Sequence, residues 1–297
     1  NRKGVLSVPL YTYFNLLNDM ENYRLYSAPK RMKVDTIGST YDKRHIYSLR
    51  LGSVRANKKY ILVGSIHGRE YINTYLLIKL AKYFTKSYSL LEENDTALYM
   101  IPMANPDGVV ISQSGTKALN NYVLSCTVKK MLRSHHTFHS KWKANACGID
   151  LNRNFPTGYQ HMGNPGPKLF PGEYAASSKE TKSLMAYVES IPDPSAVIHY
   201  HSRGNLIYWD YNVPNPLRTR NYQLATLAAV TMNYKYICNT IDTEPNGGFG
   251  DWCVYDKGIP SITIENGRFY TPVPHWQFAS IYKKNLAFLQ ELIAEKY

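Results

Sequence analysis

Cysteine is scarce: Cys126, Cys147, Cys238 and Cys253 are spread through 297 residues without one Cys-x-x-Cys pair. That excludes a disulfide-built scaffold and a thiolate zinc ribbon, and predicts buried thiols with at most one or two bridges. No apolar run approaches the ~20 residues of a membrane-spanning helix, and no charged-then-apolar leader opens the chain. Because numbering starts at Asn1, a removed leader is compatible with the sequence; a secreted or wall-associated location is expected, with the cytoplasm as the alternative. Repeats and low-complexity linkers are also missing, so one domain over residues 1–297 is expected. Acidic residues are few, 22 against 35 Lys+Arg, for a net charge of +13. Such a balance favours polyanionic partners. Yet the basic residues are scattered and no nucleic-acid motif appears, so nucleic acid is not an expected partner. With 44% hydrophobic and 19% charged residues the chain can bury a core.

What is present is layered. Apolar, β-branched runs alternate with segments of helical period, the pattern of an α/β fold. Strands are predicted at Val34–Ile37, Arg44–Leu51, Tyr60–Ser65, Thr96–Ile101, Ala196–Tyr200 and Ser261–Ile264, and helices at Pro9–Asn22, Tyr71–Phe84, Ser177–Ser190, Pro216–Asn233 and His275–Glu295. From Asn105 to Ala175 the chain is rich in Gly, Pro, Asn and Ser and shows little period; connections that long are usually functional.

The residues able to do chemistry share one kind of position. His67, His201 and Glu265 each follow a predicted strand, at the carboxyl edge where open α/β sheets bind ligands. Glu70 comes three residues after His67, so both can aim at one point from the turn into the next helix. Catalytic zinc commonly takes two His and one carboxylate and leaves a fourth position for water. An isolated His-x-x-Glu also arises by chance on helices. His199 lies on the same strand face as His201, one step deeper, and reads as a packed, hydrogen-bonded core histidine. The remaining histidines have no strand-end position. Glu265 alone would read as a buried acid with a basic partner; beside a metal it can act as general base.

Together these residues resemble the zinc carboxypeptidase family in order and spacing, from about Tyr11 to the C-terminus. Further matches are Asn105-Pro106-Asp107-Gly108, Gly148-Ile149-Asp150-Leu151-Asn152-Arg153-Asn154-Phe155, and Gly247-Gly248 before Asp251-Trp252. The resemblance implies a mixed eight-stranded sheet between helices and one zinc ion held by His67, Glu70 and His201. It also implies Glu265 as general base, Asn152 and Arg153 as grips for a substrate carboxylate, and Asp150 behind the first zinc histidine. A basic residue upstream of that loop would polarise the scissile carbonyl, with Arg133 the candidate and Lys143 the alternative. Arg69 resembles an arginine lining the substrate cleft.

Two positions depart from the digestive members. Thr243 stands where their capping tyrosine is expected, and Gly250 occupies their specificity position, which is expected to leave room in the pocket. No propeptide is apparent ahead of the catalytic segment. The segments His201–Trp209 (with Arg203 a further substrate contact), Trp142–Asn145 and Pro272–Phe278 are more similar to bacterial members that cut γ-D-glutamyl–diaminopimelate bonds. The expected function is therefore zinc-dependent hydrolysis of a cell-wall peptide. A general carboxypeptidase is the alternative, and an inactive peptide- or wall-binding relative the second. No membrane span is expected.

Overall fold

The computed structural model describes residues 10–26, 31–237 and 245–295. Runs such as Lys58–Gly64 and Ala196–His201 are buried on both faces, which is why they read as continuous apolar stretches rather than alternating ones. Among the described residues eight strands form one mixed sheet: β1 (Met32–Ser39), β2 (His45–Leu51), β3 (Lys58–Gly64), β4 (Thr96–Ile101), β5 (Ala196–His201), β6 (Leu206–Tyr208), β7 (Lys235–Ile237) and β8 (Ser261–Glu265). Their order is β1-β2-β4-β3-β5-β8-β6-β7. The four central strands β4, β3, β5 and β8 run parallel, and antiparallel pairs join them to β2 and β6. The expected eight-stranded sheet is thus observed.

The helices are α1 (Tyr13–Tyr26), α2 (Ile72–Lys86), α3 (Tyr88–Glu93), α4 (Pro106–Ser114), α5 (Tyr122–Ser134), α6 (Lys179–Glu189), α7 (Leu217–Met232), α8 (Phe249–Asp251) and α9 (Phe278–Ala294). Strand alternation assigns their faces. Leu62, Ile198, Tyr200, Ile262 and Ile264 point into a core shared with α2, α7 and α9. Ile61, Val63 and Val197 point the other way, against Leu184 of α6, Phe155, Phe249 and Trp252. The sheet is therefore covered on both sides.

Three features differ from the sequence reading. The stretch 105–175, expected to be irregular, contains α4 and α5. In α4 nearly every side is buried, including Pro106, Asp107 and Gly108, so no amphipathic stripe marks it. Strands β6 and β7, three residues each, are too short to carry a period, and the six-residue α3 escapes for the same reason. Cys126, Cys147 and Cys253 are free thiols; Cys238 lies outside the described residues, as does Pro9 of the first predicted helix.

Candidate metal centre

The site is assembled by register. On β5 and β8, successive side chains alternate between faces. Ile198, Tyr200, Ile262 and Ile264 take one core, so His199, His201, Thr263 and Glu265 share the opposite face. His201 pairs with Glu265 and His199 with Thr263 across the ladder. Next door, β3 ends at Gly64 and the chain turns through Ser65 and Ile66 to His67 and a 3₁₀ turn, Gly68–Glu70. That turn is pinned from two sides. Gly68 N–H donates to Lys143 O at 2.9 Å, and a Cβ on Gly68 would sit 2.3 Å from Gly108 O, so only glycine permits the approach. Asn105 donates to the carbonyls of Ile66, Lys143 and Ala144 at 3.1–3.2 Å, tying the turn to the segment that carries Lys143.

His67, Glu70 and His201 are all buried, and their donor atoms lie within 4.8 Å of one another. His67 Nδ1 is 3.0 Å from Glu70 Oε1 and 3.1 Å from His201 Nδ1; His201 Nδ1 is 3.0 Å from Glu70 Oε2. Tetrahedral zinc with bonds of about 2.0–2.1 Å spaces its ligands by roughly 3.3 Å, close to these separations. Asp150 Oδ1 lies 3.2 Å from His67 Nε2 and also accepts from the Asn152 N–H, while Oδ2 accepts from Leu169 N–H. With Nε2–H donated to Asp150, the Nδ1 lone pair of a neutral His67 faces a carboxylate and a second imidazole. Such a donor set fits a divalent cation.

The charges act on one another strongly. Burial disfavours a charged His67, but Glu70 and Asp150 outweigh it and hold its pKa above the ordinary value. Burial also opposes ionisation of Glu70, yet the two imidazoles hold it well below the carboxylate range. Burial lowers His201 and, reinforced by the other two histidines, lowers His199 further. Glu265, shielded from water and facing the Glu70 charge, is pushed up to about 8; its Oε2 is buried without a hydrogen-bond partner among the described residues.

A cleft of about 360 Å³ opens on this group, lined among others by Lys143, Asn152, Arg153, His199, Asp210, Tyr211, Gly250, Asp251 and Glu265. Asn152 Oδ1 accepts from Phe249 N–H at 2.9 Å, and Arg153 Nη1 donates to Asn152 O at 2.7 Å. Arg69 is half-buried beside the site, and its charge acts on Glu265. Arg133 is not brought in: it lies exposed on the last turn of α5 and does not line the cleft, whereas Lys143 does. Arg203 is likewise exposed after β5 and does not line it. Thr243 lies outside the described residues.

Gly250 corrects an expectation. It lines the cleft but leaves no room, since a Cβ there would meet Tyr211 Oη at 2.3 Å and His199 Nε2 at 2.7 Å. His199 is packed and hydrogen-bonded as predicted, through Thr263 Oγ1 at 2.7 Å and Tyr211 Oη at 3.4 Å, but it also faces the cleft. The sequence reading missed Asp210 and Tyr211; the signal available was an acid directly after the apolar run Leu206–Trp209.

The sequence profile described as zinc carboxypeptidase matches residues 19–287. The chain is similar to Gamma-D-glutamyl-L-diamino acid endopeptidase 1 of Lysinibacillus sphaericus, at 27% identity over 293 residues, 93% of this chain and 70% of that protein. It is similar to Carboxypeptidase B of Homo sapiens, at 27% over 274 residues, 84% of this chain and 62% of that protein. The chain therefore spans less than two thirds of the human protein's length. Its fold is that of bovine thrombin-activatable fibrinolysis inhibitor, solved in complex with tick carboxypeptidase inhibitor, with a TM-score of 0.75 at 20% identity over 96% of this chain and 97% of that one.

Proposed function

Because the chain belongs to the zinc carboxypeptidase family, we propose that it hydrolyses the amide bond between γ-D-glutamate and a diaminopimelate residue in bacterial cell-wall peptides. The enzyme class, a zinc metallopeptidase, comes with the family. The observation that carries the reaction is one cleft in which a His-Glu-His donor set, the carboxylate of Glu265 and the Asn152–Arg153 pair all meet.

His67, Glu70 and His201 hold the zinc, which when bound supplies a Lewis acid and makes nearby water a nucleophile at neutral pH. Glu265 takes the proton from the attacking water and passes it to the leaving amine. Its placement directly opposite His201 on the adjacent strand supports that role. Lys143 supplies positive charge where the carbonyl oxygen becomes an oxyanion. Asn152 and Arg153 grip a carboxylate on the departing residue, the guanidinium as a two-pronged donor. Asp150 holds the His67 ring in place.

The endopeptidase relative, similar over 93% of this chain, supports the cell-wall reading, as does a cleft lined with polar and charged groups. Asp210 and Asp251 in the same cleft also favour a second reading, a carboxypeptidase releasing basic C-terminal residues. Comparison of kcat/KM on L-Ala-γ-D-Glu-diaminopimelate with benzoylglycyl-phenylalanine and benzoylglycyl-arginine separates them. The muropeptide is expected to be preferred; a tenfold preference for either benzoylglycyl substrate rejects the cell-wall reading.

A further inference from the structure

Behind the metal ligands, on the far side of the sheet, lies a run of buried polar side chains that no step of hydrolysis uses. Each of the three chain segments that supply Glu70, His201 and Glu265 also supplies one member of it. Asn73 comes three residues after Glu70, in the first turn of α2; Ser202 follows His201, and Asn266 follows Glu265. Strand alternation turns Ser202 and Asn266 away from the cleft, toward the core that holds Tyr200, Ile264 and Ile281. Asn73 and Asn266 are wholly buried, and Ser202 is 6% exposed.

The bonds run in one chain. Asn266 Nδ2 donates to Asn73 Oδ1 at 3.1 Å, and Asn73 Nδ2 to Ser202 Oγ at 3.3 Å. Ser202 N–H in turn donates to Glu70 Oε2 at 3.1 Å, and Asn266 N–H to His201 O at 2.9 Å. From the outer layer, Asn285 of α9 and the Tyr234 hydroxyl donate to Asn266 Oδ1 at 2.9 and 3.2 Å. Amides in an apolar layer cost stability unless they are bonded, and leucine has a similar branched shape, so packing alone does not call for asparagine at positions 73 and 266. A bonded buried network instead fixes one geometry.

We infer that Asn73, Ser202 and Asn266 are positioning residues, a buried clasp that holds the Glu70 carboxylate in the ligand set and fixes Glu265 at its distance from the metal. Each bond ties two of the three segments. Asn73 to Ser202 joins α2 to the end of β5, and Asn266 to Asn73 joins the end of β8 to α2. With the clasp open, the ladder still sets the register of His201 and Glu265, but the turn carrying Glu70 is free to shift against both. Outer partners of metal ligands typically govern affinity or activity by about 10–100-fold, and a misplacement of about 1 Å at a reacting centre can cost roughly 10²-fold. The inference rests on the proposed ligand set and base and deepens that reading.

The test compares Asn73→Leu and Asn266→Leu, with Asn221→Leu as control. Asn221 is equally buried but braces the other end of β8, accepting from Ser261 N–H at 2.9 Å. Zinc affinity is read by chelator competition, and kcat at saturating zinc on whichever of the muropeptide and benzoylglycyl substrates the wild type cleaves. Both clasp variants are expected to bind zinc about tenfold more weakly and to lose about tenfold in kcat with KM within about twofold, the control staying within about twofold of wild type in each. The double variant should lose no more than the worse single one, because both break the same bond. Equal losses in the control, losses that multiply in the double variant, or wild-type zinc affinity and kcat in both clasp variants overturn the clasp. Should any leucine variant not fold, Ser202→Ala decides: zinc binding weakened about threefold is expected, and wild-type affinity overturns the clasp. If the wild type cleaves neither substrate, the substrate reading fails while the zinc comparison still decides the clasp.

Discussion

Glu180 should make this fold less stable as the solution becomes more alkaline. It is fully buried at the start of α6, and burial, aided by the charge of Asp107, pushes its carboxyl up to about 7 from an ordinary 4.5 against hydrogen bonds from Ser178 and Asn145. Between those two values the folded protein binds a proton that the unfolded chain releases. The stabilisation is complete below about 4.5 and lost as pH rises through about 7. The shift of 7 − 4.5 = 2.5 units corresponds to about 3 kcal/mol at ~1.4 kcal/mol per unit. Glu180→Gln keeps the shape and removes the titration. Urea unfolding of both proteins at pH 5, 6, 7 and 8, with zinc saturating, is expected to move the stability difference by about 2.5 kcal/mol toward the Gln variant at the alkaline end, part of the effect being already lost by pH 5. Groups common to both proteins cancel in that difference. Parallel curves would refute the reasoning. The site is involved because Asn145, which donates to Glu180 at 3.1 Å, also accepts from the N–H groups of Cys147 and Ile149 at 3.0 Å, bracing the turn that leads to Asp150.

Glu265→Gln is expected to keep the fold and the zinc while kcat falls by roughly 10²–10⁴; steady-state kinetics with elemental analysis checks it, and lost zinc would make Glu265 structural. His67→Ala and His201→Ala should each drop zinc content below half of about one ion per chain, since one of three protein ligands is gone; full retention removes that residue from the ligand set. Asp150→Ala should weaken zinc affinity by about 10–100-fold with little change in fold, measured by competition with a chelator. Gly68→Ala, whose Cβ would meet Gly108 O at 2.3 Å, should cost on the order of 1–3 kcal/mol in urea unfolding, and an unchanged midpoint would show that the turn has slack.

The long, uninterrupted strands were readable from sequence because β3, β4 and β5 are buried on both faces and leave a continuous apolar signature. The ends of β3 and β5, and that of β8, therefore also pointed to His67, His201 and Glu265 as candidates. What was hidden depends on tertiary position. Helix α4 carries its caps in view, Asn105 and Pro106, yet being buried nearly all round it has no stripe to detect. Arg133 and Lys143 are both upstream cations in the sequence; only the carbonyl of Lys143, bonded to Gly68 and Asn105, draws one of them to the cleft. At Gly250 sequence reports a missing side chain and cannot report that Tyr211, 39 positions earlier by 250 − 211, has moved into its place.

The pairing of His201 with Glu265 across β5 and β8 makes zinc uptake a check on assembly. If β5 slipped by one residue, every side chain on it would change face; Tyr200 would then stand over the cleft and His201 would be driven into the hydrocarbon layer beneath α2 and α9. Such a molecule retains its secondary structure, and far-ultraviolet circular dichroism would not distinguish it. On the proposed ligand set it lacks one donor, however, and is expected not to load metal. In a refolded preparation the zinc-to-protein ratio thus counts the chains whose central strands closed in the right alignment, and the shortfall counts those that did not.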